Sequence, residues 1–484
     1  MVPNRLCGRE CRCTHDSQEC VLRWDSRRNY PHGKEFPIVP GHNDRLLFRI
    51  IFPIHSVRLH GVHAGEARRR RNGPIPNESL PAPKFSDIAA QASQLLKRKE
   101  ISMTSSNTPQ NNEALFATAI AKTRAPLLEA HHLPGDFYTS PNTYKLEQER
   151  IFQTDWLCVG RVEELEQSGD YLTLRVGDEP IIVCRDEERE INAFYNVCRH
   201  RGTEVAIGQG NTKSFQCPYH AWTYDLKGRL KGAPFTKEIK NFKLSAYGLA
   251  SLKVDTWGGF IFVNFDPNSC GLMEFLGDFT ETVAPYRPEE LQLATKFVLE
   301  YDCNWKATAE NLVDIYHLAA LHGSSLGPHQ PLEAYEFHLT TGGYNGLFKG
   351  NSPLTPDGKS RFGNMPWLSG KALEYGYTSH QRPNMNFGLR QDNINFTTTW
   401  PLGVERSMIT FHMLLPKQHF SLPDFRQRVK VYEDFVTLVL EEDRSMVQSL
   451  QKGFKSRAYQ PGPMSKYEIA VHHVINYYLE RTFG

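Results

Sequence analysis

Two pairs of cysteine and histidine residues constrain this 484-residue chain more than any other feature of its sequence. Cys198 and His200 form a C-x-H pair, and Cys217 and His220 form a C-x-x-H pair, with sixteen residues between the pairs. This ligand set suits a [2Fe-2S] cluster in which two cysteines hold one iron and two histidines hold the other. Because neutral imidazoles replace two thiolates, the reduction potential of such a cluster is raised. The pattern therefore predicts an electron-transfer centre.

A structural zinc site of two cysteines and two histidines is the alternative for the same four residues. In zinc fingers each short pair tends to be of one kind, whereas both pairs here are mixed. Both pairs also follow strand-like sequence, as expected of two hairpin loops that each give one ligand to each iron. Trp222 follows the second pair and can help to shield the site from water. These features favour the iron–sulfur cluster over zinc.

A second group of metal-ligand residues comprises Asp314, His317 and His322. Asp314 and His317 would share one face of a helix, whereas the two histidines lie roughly 140° apart around an ideal helix. Both histidines can therefore bind one metal only if the helix is distorted or ends between them. Residues 312–321 are otherwise apolar, so buried histidines there need polar partners or a metal. The alternative without a metal is that the two histidines lie at the surface, or in the core with hydrogen-bond partners.

Two imidazoles and one carboxylate on one side of a metal are typical of non-haem iron(II) oxygenases. The opposite side of the metal is left open to dioxygen and substrate. We predict that Asp443 is the carboxylate, because it lies in a strongly helical stretch after the histidines. Glu442 and Asp434 are rival candidates on the same stretch. An oxidising iron site would also use the electrons that the cluster supplies.

Length and composition allow two or three domains with ample core. The net charge of +2 argues against nucleic acid as the main partner, and no apolar run is long enough to span a membrane. An iron–sulfur protein without a recognisable export signal indicates the reducing cytoplasm of a bacterium. Four scattered thiols are expected to be buried: Cys158, Cys184, Cys270 and Cys303.

Residues 1–102 carry an excess of Lys and Arg and show little periodicity, and three interpretations remain open. They could be a disordered basic arm. They could hold a metal on four clustered cysteines, Cys7, Cys11, Cys13 and Cys20. The favoured interpretation is that they are translated upstream DNA, because residues 99–100 can be encoded by a purine-rich stretch typical of a bacterial ribosome-binding site. The native chain would then begin at Met103.

The two metal motifs together resemble those of the α (catalytic) subunit of Rieske-type non-haem iron oxygenases, the ring-hydroxylating oxygenase superfamily. The resemblance runs from about residue 133 to the C-terminus. The family signature N-W-K-x-x-x-E-N-x-x-D-x-Y-H-x-x-x-x-H is present without a gap over residues 304–322. A later Glu-Asp pair with Gln eight residues on is matched by Glu442, Asp443 and Gln451.

The resemblance implies an α+β fold with a small antiparallel β Rieske domain. It also implies a catalytic domain whose curved antiparallel sheet is covered by helices, the helix-grip arrangement. We predict a helical lead-in over residues 103–150, a Rieske domain over 151–268 and the catalytic domain over 269–484. Residues 171–194 alternate in strand fashion, with a turn at residues 177–178.

The resemblance also assigns roles to residues. The four paired residues would hold the [2Fe-2S] cluster, and His317, His322 and Asp443 would hold a mononuclear Fe(II). Asp314 would bridge a cluster histidine of one subunit and an iron-binding histidine of its neighbour, so the assembly would be a homotrimer or an α3β3 complex. Asn311 is the other predicted catalytic residue. A carboxylate in the position of Asp314 would fix both imidazole rings.

The implied function is that of a terminal oxygenase that uses O2 and electrons from a separate NAD(P)H-dependent reductase, directly or through a ferredoxin. No dinucleotide-binding fingerprint occurs in this chain. We favour an aromatic compound or aromatic acid as substrate. The alternative is a monooxygenase or demethylase of a quaternary or N-methylated amine, because the choline and betaine branch of the family shares the sequence pattern of residues 314–322. A Rieske electron carrier without oxygenase activity is an alternative of another class.

The substrate pocket is expected to take its walls from residues 333–349 and from the strand-like runs at residues 393–400 and 407–414. The predicted lining is Leu318, Phe348, Phe396 and Trp400, with Phe337, Tyr344 and Phe387 as further aromatic candidates. Such rings could stack on an aromatic substrate or surround a quaternary ammonium group. Burial in an ordinary core explains each of them equally well.

Overall fold

The computed structural model describes residues 109–340 and 343–484. The extension over residues 1–102, with its four cysteines, and the start predicted at Met103 lie outside the described residues. Within these ranges the α-helices are α1 (Pro109–Thr123), α2 (Asp136–Thr139), α3 (Pro141–Glu147), α4 (Leu272–Leu276), α5 (Phe279–Val283), α6 (Trp305–Val313), α7 (Lys371–Glu374), α8 (Phe425–Phe454) and α9 (Ile469–Phe483). Of the helices described, none is long and apolar enough to cross a bilayer.

The strands fall into two groups along the chain. The first group is β1 (Leu157–Arg161), β2 (Asp170–Val176), β3 (Glu179–Arg185), β4 (Ile191–Tyr195), β5 (Gln209–Asn211), β6 (Phe215–Gln216), β7 (Thr223–Tyr224), β8 (Leu230–Gly232), β9 (Lys253–Trp257) and β10 (Phe260–Asn264). The second group is β11 (Leu291–Tyr301), β12 (Tyr335–Leu339), β13 (Gly343–Lys349), β14 (Tyr375–Gln381), β15 (Met385–Leu389), β16 (Ile394–Gly403) and β17 (Arg406–Pro416).

The first group forms three small antiparallel sheets, with strand orders β4-β3-β2-β5, β6-β7-β8 and β1-β10-β9. The hairpin of β2 and β3 pairs Val176 with Glu179, so Gly177 and Asp178 form the two-residue turn that the sequence indicates. Gly177 has a φ of 57°, a conformation that glycine adopts without steric cost. This region is the small β domain expected from the cysteine–histidine pairs.

The second group forms one seven-stranded antiparallel sheet with the order β11-β17-β16-β15-β14-β13-β12. Register shifts interrupt the pairing near Leu293 on β11 and near Pro401 on β16, and such bulges bend the strands that contain them. Helix α8 contacts β11 and α6, and α9 contacts α6, β12 and β13. The α+β fold class predicted from the sequence is therefore confirmed.

Helix α8 packs against the rest of the fold with one face. Its buried positions recur every three or four residues, which places them in one stripe along the helix. Most members of the stripe are apolar, such as Val429, Val436 and Leu440, but Asp443 and Gln451 are buried in the same stripe. A carboxylate in an apolar stripe needs a compensating partner.

The prediction that the four scattered thiols are buried is confirmed for three of them and wrong for Cys270. Cys158, Cys184 and Cys303 are buried, whereas Cys270 is exposed. Cys270 lies in the loop between β10 and α4, where its backbone oxygen accepts a hydrogen bond from Trp156 Nε1 at 3.0 Å. The backbone rather than the thiol therefore makes the internal contact at this position.

Candidate metal centres and substrate cavity

The two cysteine–histidine pairs lie on two loops with the same backbone conformation. Cys198 N–H donates to Thr203 O at 2.9 Å, and Cys217 N–H donates to Trp222 O at 2.8 Å. The residue four positions after each cysteine, Gly202 or Ala221, donates its N–H back to the cysteine oxygen at 2.9 or 3.0 Å. Two equivalent loops suit a ligand set in which each loop contributes one thiolate and one imidazole.

Each of these loops turns at a residue with positive φ, namely Gly202 at 84° and Ala221 at 57°. The positive φ costs glycine little, but in alanine the Cβ approaches the following carbonyl oxygen. A hydrogen-bonded loop holds Ala221 in this conformation despite the cost. Strain of this kind persists where the surrounding structure determines the backbone, as at functional sites.

The side chains of the two pairs differ in exposure and lie close together. Both thiols are buried, with 2% exposure each, whereas His200 is exposed and His220 partly exposed. The two imidazoles approach each other with their Nδ1 atoms, which lie 3.1 Å apart in His200 and His220. Trp222 stacks on His200 with ring centres 5.0 Å apart. The residues present therefore fit a [2Fe-2S] cluster, which the two buried thiolates and the two more exposed imidazoles would hold.

Tyr224 contacts the buried thiol of Cys198, with 3.4 Å between its hydroxyl oxygen and Sγ. The same hydroxyl accepts a hydrogen bond from Arg199 N–H at 3.0 Å, so its own hydrogen is free to be donated to the sulfur. Burial, and then the contact with Cys198, raises the pKa of Tyr224, which keeps the phenol protonated. Hydrogen bonds to cluster sulfurs are one of the features that set cluster potentials.

The second site lies where helix α6 ends. Asp314 has extended backbone geometry and terminates the helix, and a short 3-10 helix (Tyr316–Ala319) follows. His317 and His322 therefore do not share an α-helix, which removes the angular conflict that their five-residue spacing would create. The expectation that Asp314 and His317 share a helical face is wrong in detail. Their side chains nonetheless meet, at 2.9 Å.

His317, His322 and Asp443 come together around one point. One potential ligand atom from each lies within 4.8 Å of the others. Asp443 Oδ1 is 3.0 Å from His322 Nε2 and 3.4 Å from His317 Nε2. Asp443 belongs to the buried stripe of α8, so the helix brings its carboxylate to the histidines. Two imidazoles and one carboxylate on one side of a point match the donor set of a mononuclear iron site.

A second carboxylate fixes each histidine ring from behind. His317 Nδ1 lies 2.9 Å from Asp314 Oδ2, and His322 Nδ1 lies 2.7 Å from Glu442 Oε2. Ser325 Oγ donates a further hydrogen bond to Glu442 at 2.8 Å. Outer carboxylates of this kind orient a metal-binding imidazole. Glu442, one rival for the third ligand, therefore lies behind His322.

The other rival, Asp434, is exposed and forms an ion pair with Lys430 at 2.6 Å.

The carboxylates set the pKa values of the candidate metal site. Burial lowers the pKa of His317, but hydrogen bonds with Asp314 and Asp443 outweigh burial and raise it to about 9. Burial raises the pKa of Asp443, but hydrogen bonds with both histidines outweigh it, and the pKa is lowered. Asp443 is thus held as a carboxylate.

Asn311 reaches the same point from α6. Its Nδ2 is 3.2 Å from Asp443 Oδ1 and 3.4 Å from His317 Nε2. Asp314 keeps 22% of its side chain exposed while one of its oxygens holds His317. The structure thus places both predicted catalytic residues, Asn311 and Asp314, next to the three potential ligands.

A cavity of about 140 Å³ opens beside His317, His322 and Asp443. Its walls come from the loop after α6, the strands β14 to β17 and helix α8. The apolar part of the lining combines aliphatic side chains with five aromatic ones: Tyr335, Phe387, Phe396, Phe411 and Phe435. Apart from the residues of the candidate metal site, the polar lining includes Gln330, Asn386, Arg390, Asn395 and Thr397.

Of the residues predicted to line the substrate pocket, Leu318 and Phe396 line this cavity, whereas Phe348 and Trp400 do not. Phe348 is fully buried behind the wall, with its ring against Tyr335 and beneath the guanidinium of Arg390. Trp400 lies four residues beyond Phe396 on β16, roughly 13 Å along a strand. Its Nε1 donates to Thr398 Oγ1 at 3.0 Å.

Of the further aromatic candidates, Phe387 lines the cavity, whereas Phe337 and Tyr344 do not. The sequence reasoning missed the wall that α8 contributes, Phe435, Val436, Val439 and Leu440, although these share the helical stripe of Asp443. Helical spacing from Asp443 could have found them. It also missed Arg390, for which the sequence carries no spacing signal.

Comparison with known proteins agrees with this geometry. A family model described as "Rieske [2Fe-2S] domain" matches residues 155–243, and one described as "Ring hydroxylating alpha subunit (catalytic domain)" matches residues 288–483. The glycine betaine monooxygenase oxygenase subunit of Pseudomonas aeruginosa is 29% identical over 387 residues, 73% of this chain and 89% of the relative.

Two further relatives are similar over comparable lengths. Chloroplastic choline monooxygenase of Arabidopsis thaliana is 30% identical over 362 residues, 72% of this chain and 82% of the relative. The crystal structure of a quaternary ammonium Rieske monooxygenase, described in connection with carnitine oxidation and inter-subunit electron transfer, is 26% identical. It superposes with a TM-score of 0.65 and covers 75% of this chain and 97% of the other.

Proposed function

Because the chain belongs to the Rieske non-haem iron oxygenases, with a [2Fe-2S] cluster and a mononuclear iron, we propose that it is a monooxygenase of a small quaternary ammonium compound. The observation that carries the proposal is its similarity, over more than 70% of its length, to oxygenases of glycine betaine and choline. These relatives favour the quaternary amine, which the sequence placed second, over the aromatic substrate that it placed first. An electron carrier without a catalytic domain does not fit a match over residues 288–483.

We assign the cluster to Cys198, His200, Cys217 and His220, and the mononuclear iron to His317, His322 and Asp443. When bound, the cluster supplies single electrons and the ferrous ion activates dioxygen. Asp314 and Glu442 hold the two imidazole rings with Nε2 toward Asp443. Asn311 keeps the Asp443 carboxylate in place through a 3.2 Å hydrogen bond.

The cavity suits a compact cation. Its aromatic residues include Tyr335, Phe387 and Phe435, whose ring faces attract quaternary ammonium groups. Its volume of about 140 Å³ is close to that of an engineered protein cavity of roughly 150 Å³ that accommodates benzene. A trimethylammonium compound of a few heavy atoms has this size, whereas a polycyclic aromatic does not. Apolar walls also exclude water from the reacting carbon.

Two partners complete the proposal. A separate NAD(P)H-dependent reductase, directly or through a ferredoxin, reduces this chain in the bacterial cytoplasm. Other copies of the chain form the assembly, a homotrimer in the absence of a second type of subunit. Inter-subunit electron transfer has been described for the quaternary ammonium relative, and we extend it to this chain with Asp314 as the bridge. The partial exposure of Asp314 supports this placement.

The proposal is tested by the rate at which O2 reoxidises the chemically reduced cluster, followed optically. A quaternary ammonium compound such as glycine betaine should speed reoxidation in the wild type, because electrons leave the cluster when substrate is turned over. In His317→Ala the cluster spectrum should persist while the acceleration is lost. Acceleration by benzoate but by no quaternary ammonium compound would refute the proposal.

A further inference from the structure

One residue of the cavity wall has no part in the proposed chemistry. Arg390 follows β15, lines the cavity and is only 3% exposed. Its Nη1 donates to the backbone oxygens of Tyr377 and Leu389, and its guanidinium carbon lies 4.9 Å from the ring centre of Phe348. These contacts hold the side chain against the wall without neutralising its charge.

Arg390 forms no ion pair within the part of the chain that the structure describes. No carboxylate oxygen there lies within 4.0 Å of the guanidinium. Asp392, its neighbour in sequence, accepts hydrogen bonds from Ser360 and Tyr432 instead. The Nε atom of Arg390 is buried without a hydrogen-bond partner. A buried cation is costly unless an anion pairs with it.

Two other polar atoms of the lining are also without partners among the described residues. Asn386 Nδ2 and Thr397 Oγ1 are buried and unpaired, and the two residues face each other across the β15–β16 pair. Both line the same cavity as Arg390. A mainly apolar pocket with a few such polar groups is the usual form of a site that orients a small ligand.

We infer that Arg390 binds a carboxylate of the substrate, so that the preferred substrate is a zwitterion with a quaternary ammonium at one end and a carboxylate at the other. The guanidinium offers two parallel N–H donors to a carboxylate, a geometry that favours it over a hydroxyl group. The aromatic residues of the cavity take the ammonium end. This inference rests on the proposed function and narrows its substrate class.

The experiment is isothermal titration calorimetry of the holoprotein with glycine betaine and with its methyl ester, which keeps the cation but lacks the negative charge. The wild type should bind glycine betaine more tightly by on the order of tenfold or more, the usual value of a charged hydrogen bond. In Arg390→Gln the ratio of the two dissociation constants should fall to near one, and Arg390→Lys should restore part of it. The exposed Arg406, paired with Glu300, provides the control Arg406→Gln, which should keep the wild-type ratio.

Two results would overturn the inference while leaving the proposed function intact. One is equal affinity of the wild type for the acid and the ester, a measurement that needs no variant. The other is a folded Arg390→Gln protein that keeps the wild-type ratio, or loses affinity for both compounds equally. Failure of the wild type to bind any quaternary ammonium compound would overturn the proposed function together with this inference.

Discussion

At the scale of single residues, the mononuclear site is defined by which carboxylate faces the two histidines. Asp443 lies between both Nε2 atoms, whereas Glu442 lies behind His322. Neighbours in sequence thus have different tasks, because successive residues of a helix point about 100° apart. One is placed to supply a metal ligand, and the other contacts the far side of the His322 ring.

Asp443→Ala should abolish iron binding at the mononuclear site, because the third ligand is lost. Iron analysis should then fall from three to two atoms per chain, while the visible spectrum of the cluster is unchanged. Glu442→Gln should bind the mononuclear iron roughly 10- to 100-fold more weakly, the usual effect of losing an outer hydrogen-bond partner.

Asp434→Asn is the matched control for this prediction, since Asp434 is an exposed carboxylate on the same helix. It should retain three iron atoms per chain. A full complement of iron in Asp443→Ala, or loss of the mononuclear iron in Asp434→Asn, would contradict the ligand assignment.

Tyr224→Phe should lower the reduction potential of the cluster, because the hydroxyl that contacts Cys198 Sγ is removed. A hydrogen bond of about 1 kcal/mol corresponds to roughly 40 mV for a one-electron couple. Redox titration of the cluster absorbance measures the change. Tyr219→Phe is the control, because that hydroxyl accepts from Arg201 at the surface and should leave the potential unchanged. Equal potentials in the wild type and Tyr224→Phe would refute the contact.

Most residues of the two candidate metal sites could be predicted from short spacings, whereas Asp443, 121 residues after His322, was predicted from its helical stretch and from the family motif. Cys198 and His200 share one loop, and His317 lies three residues from Asp314. Arg390 could not be predicted, because burial without a counter-ion is a property of the tertiary structure. A lone arginine near a strand end carries no local pattern that distinguishes it from a solvated one.

At the scale of elements, a buried ion pair joins the lead-in helices to the catalytic domain. Lys306 on α6 lies 2.5 Å from Glu147 on α3, and both side chains are almost fully buried. Trp305 Nε1 donates to the other carboxylate oxygen at 2.8 Å. Burial, only partly offset by Lys306, raises the pKa of Glu147. The pair therefore fixes two elements in place at the expense of desolvating two charges.

Lys306→Met should destabilise the protein by about 3–5 kcal/mol, because Glu147 is left buried without its partner. Lys306→Met combined with Glu147→Leu should recover most of this loss. Urea unfolding followed by circular dichroism gives the free energies. In the control Lys430→Met, loss of the exposed pair with Asp434 should cost less than about 1 kcal/mol. A double variant as unstable as the single one would show that the pair is not the cause.

The elements themselves could largely be predicted from the sequence. The strongly helical stretch that contains Asp443 corresponds to α8 (Phe425–Phe454), and the turn predicted at residues 177–178 joins β2 and β3. The lining was predicted less well, because strand alternation gives the face of a residue but not its distance from the cavity. Phe348 on β13 and Trp400 on β16 thus do not line the cavity.

At the scale of the whole molecule, the family resemblance carried by the two metal motifs implied a β domain followed by a helix-covered sheet, and both are present. The substrate class was less accessible, because aromatic side chains serve aromatic ligands and quaternary ammonium groups alike. Three observations together favour the smaller, charged substrate. They are the cavity volume, the buried cation of Arg390, and the similarity to oxygenases of glycine betaine and choline. The domain boundaries and the trimer stay predictions.

The most direct test of the account is a single-turnover competition under ¹⁸O2. The protein with its cluster chemically reduced is given equal amounts of glycine betaine, choline and benzoate, and mass spectrometry identifies which compound has been oxidised by ¹⁸O2, from label in the products and from consumption of each compound. We expect oxidation of a quaternary ammonium compound in the wild type, none in Asp443→Ala, and no labelled benzoate product. Labelled hydroxybenzoate or benzoate diol with both quaternary amines intact would contradict the account.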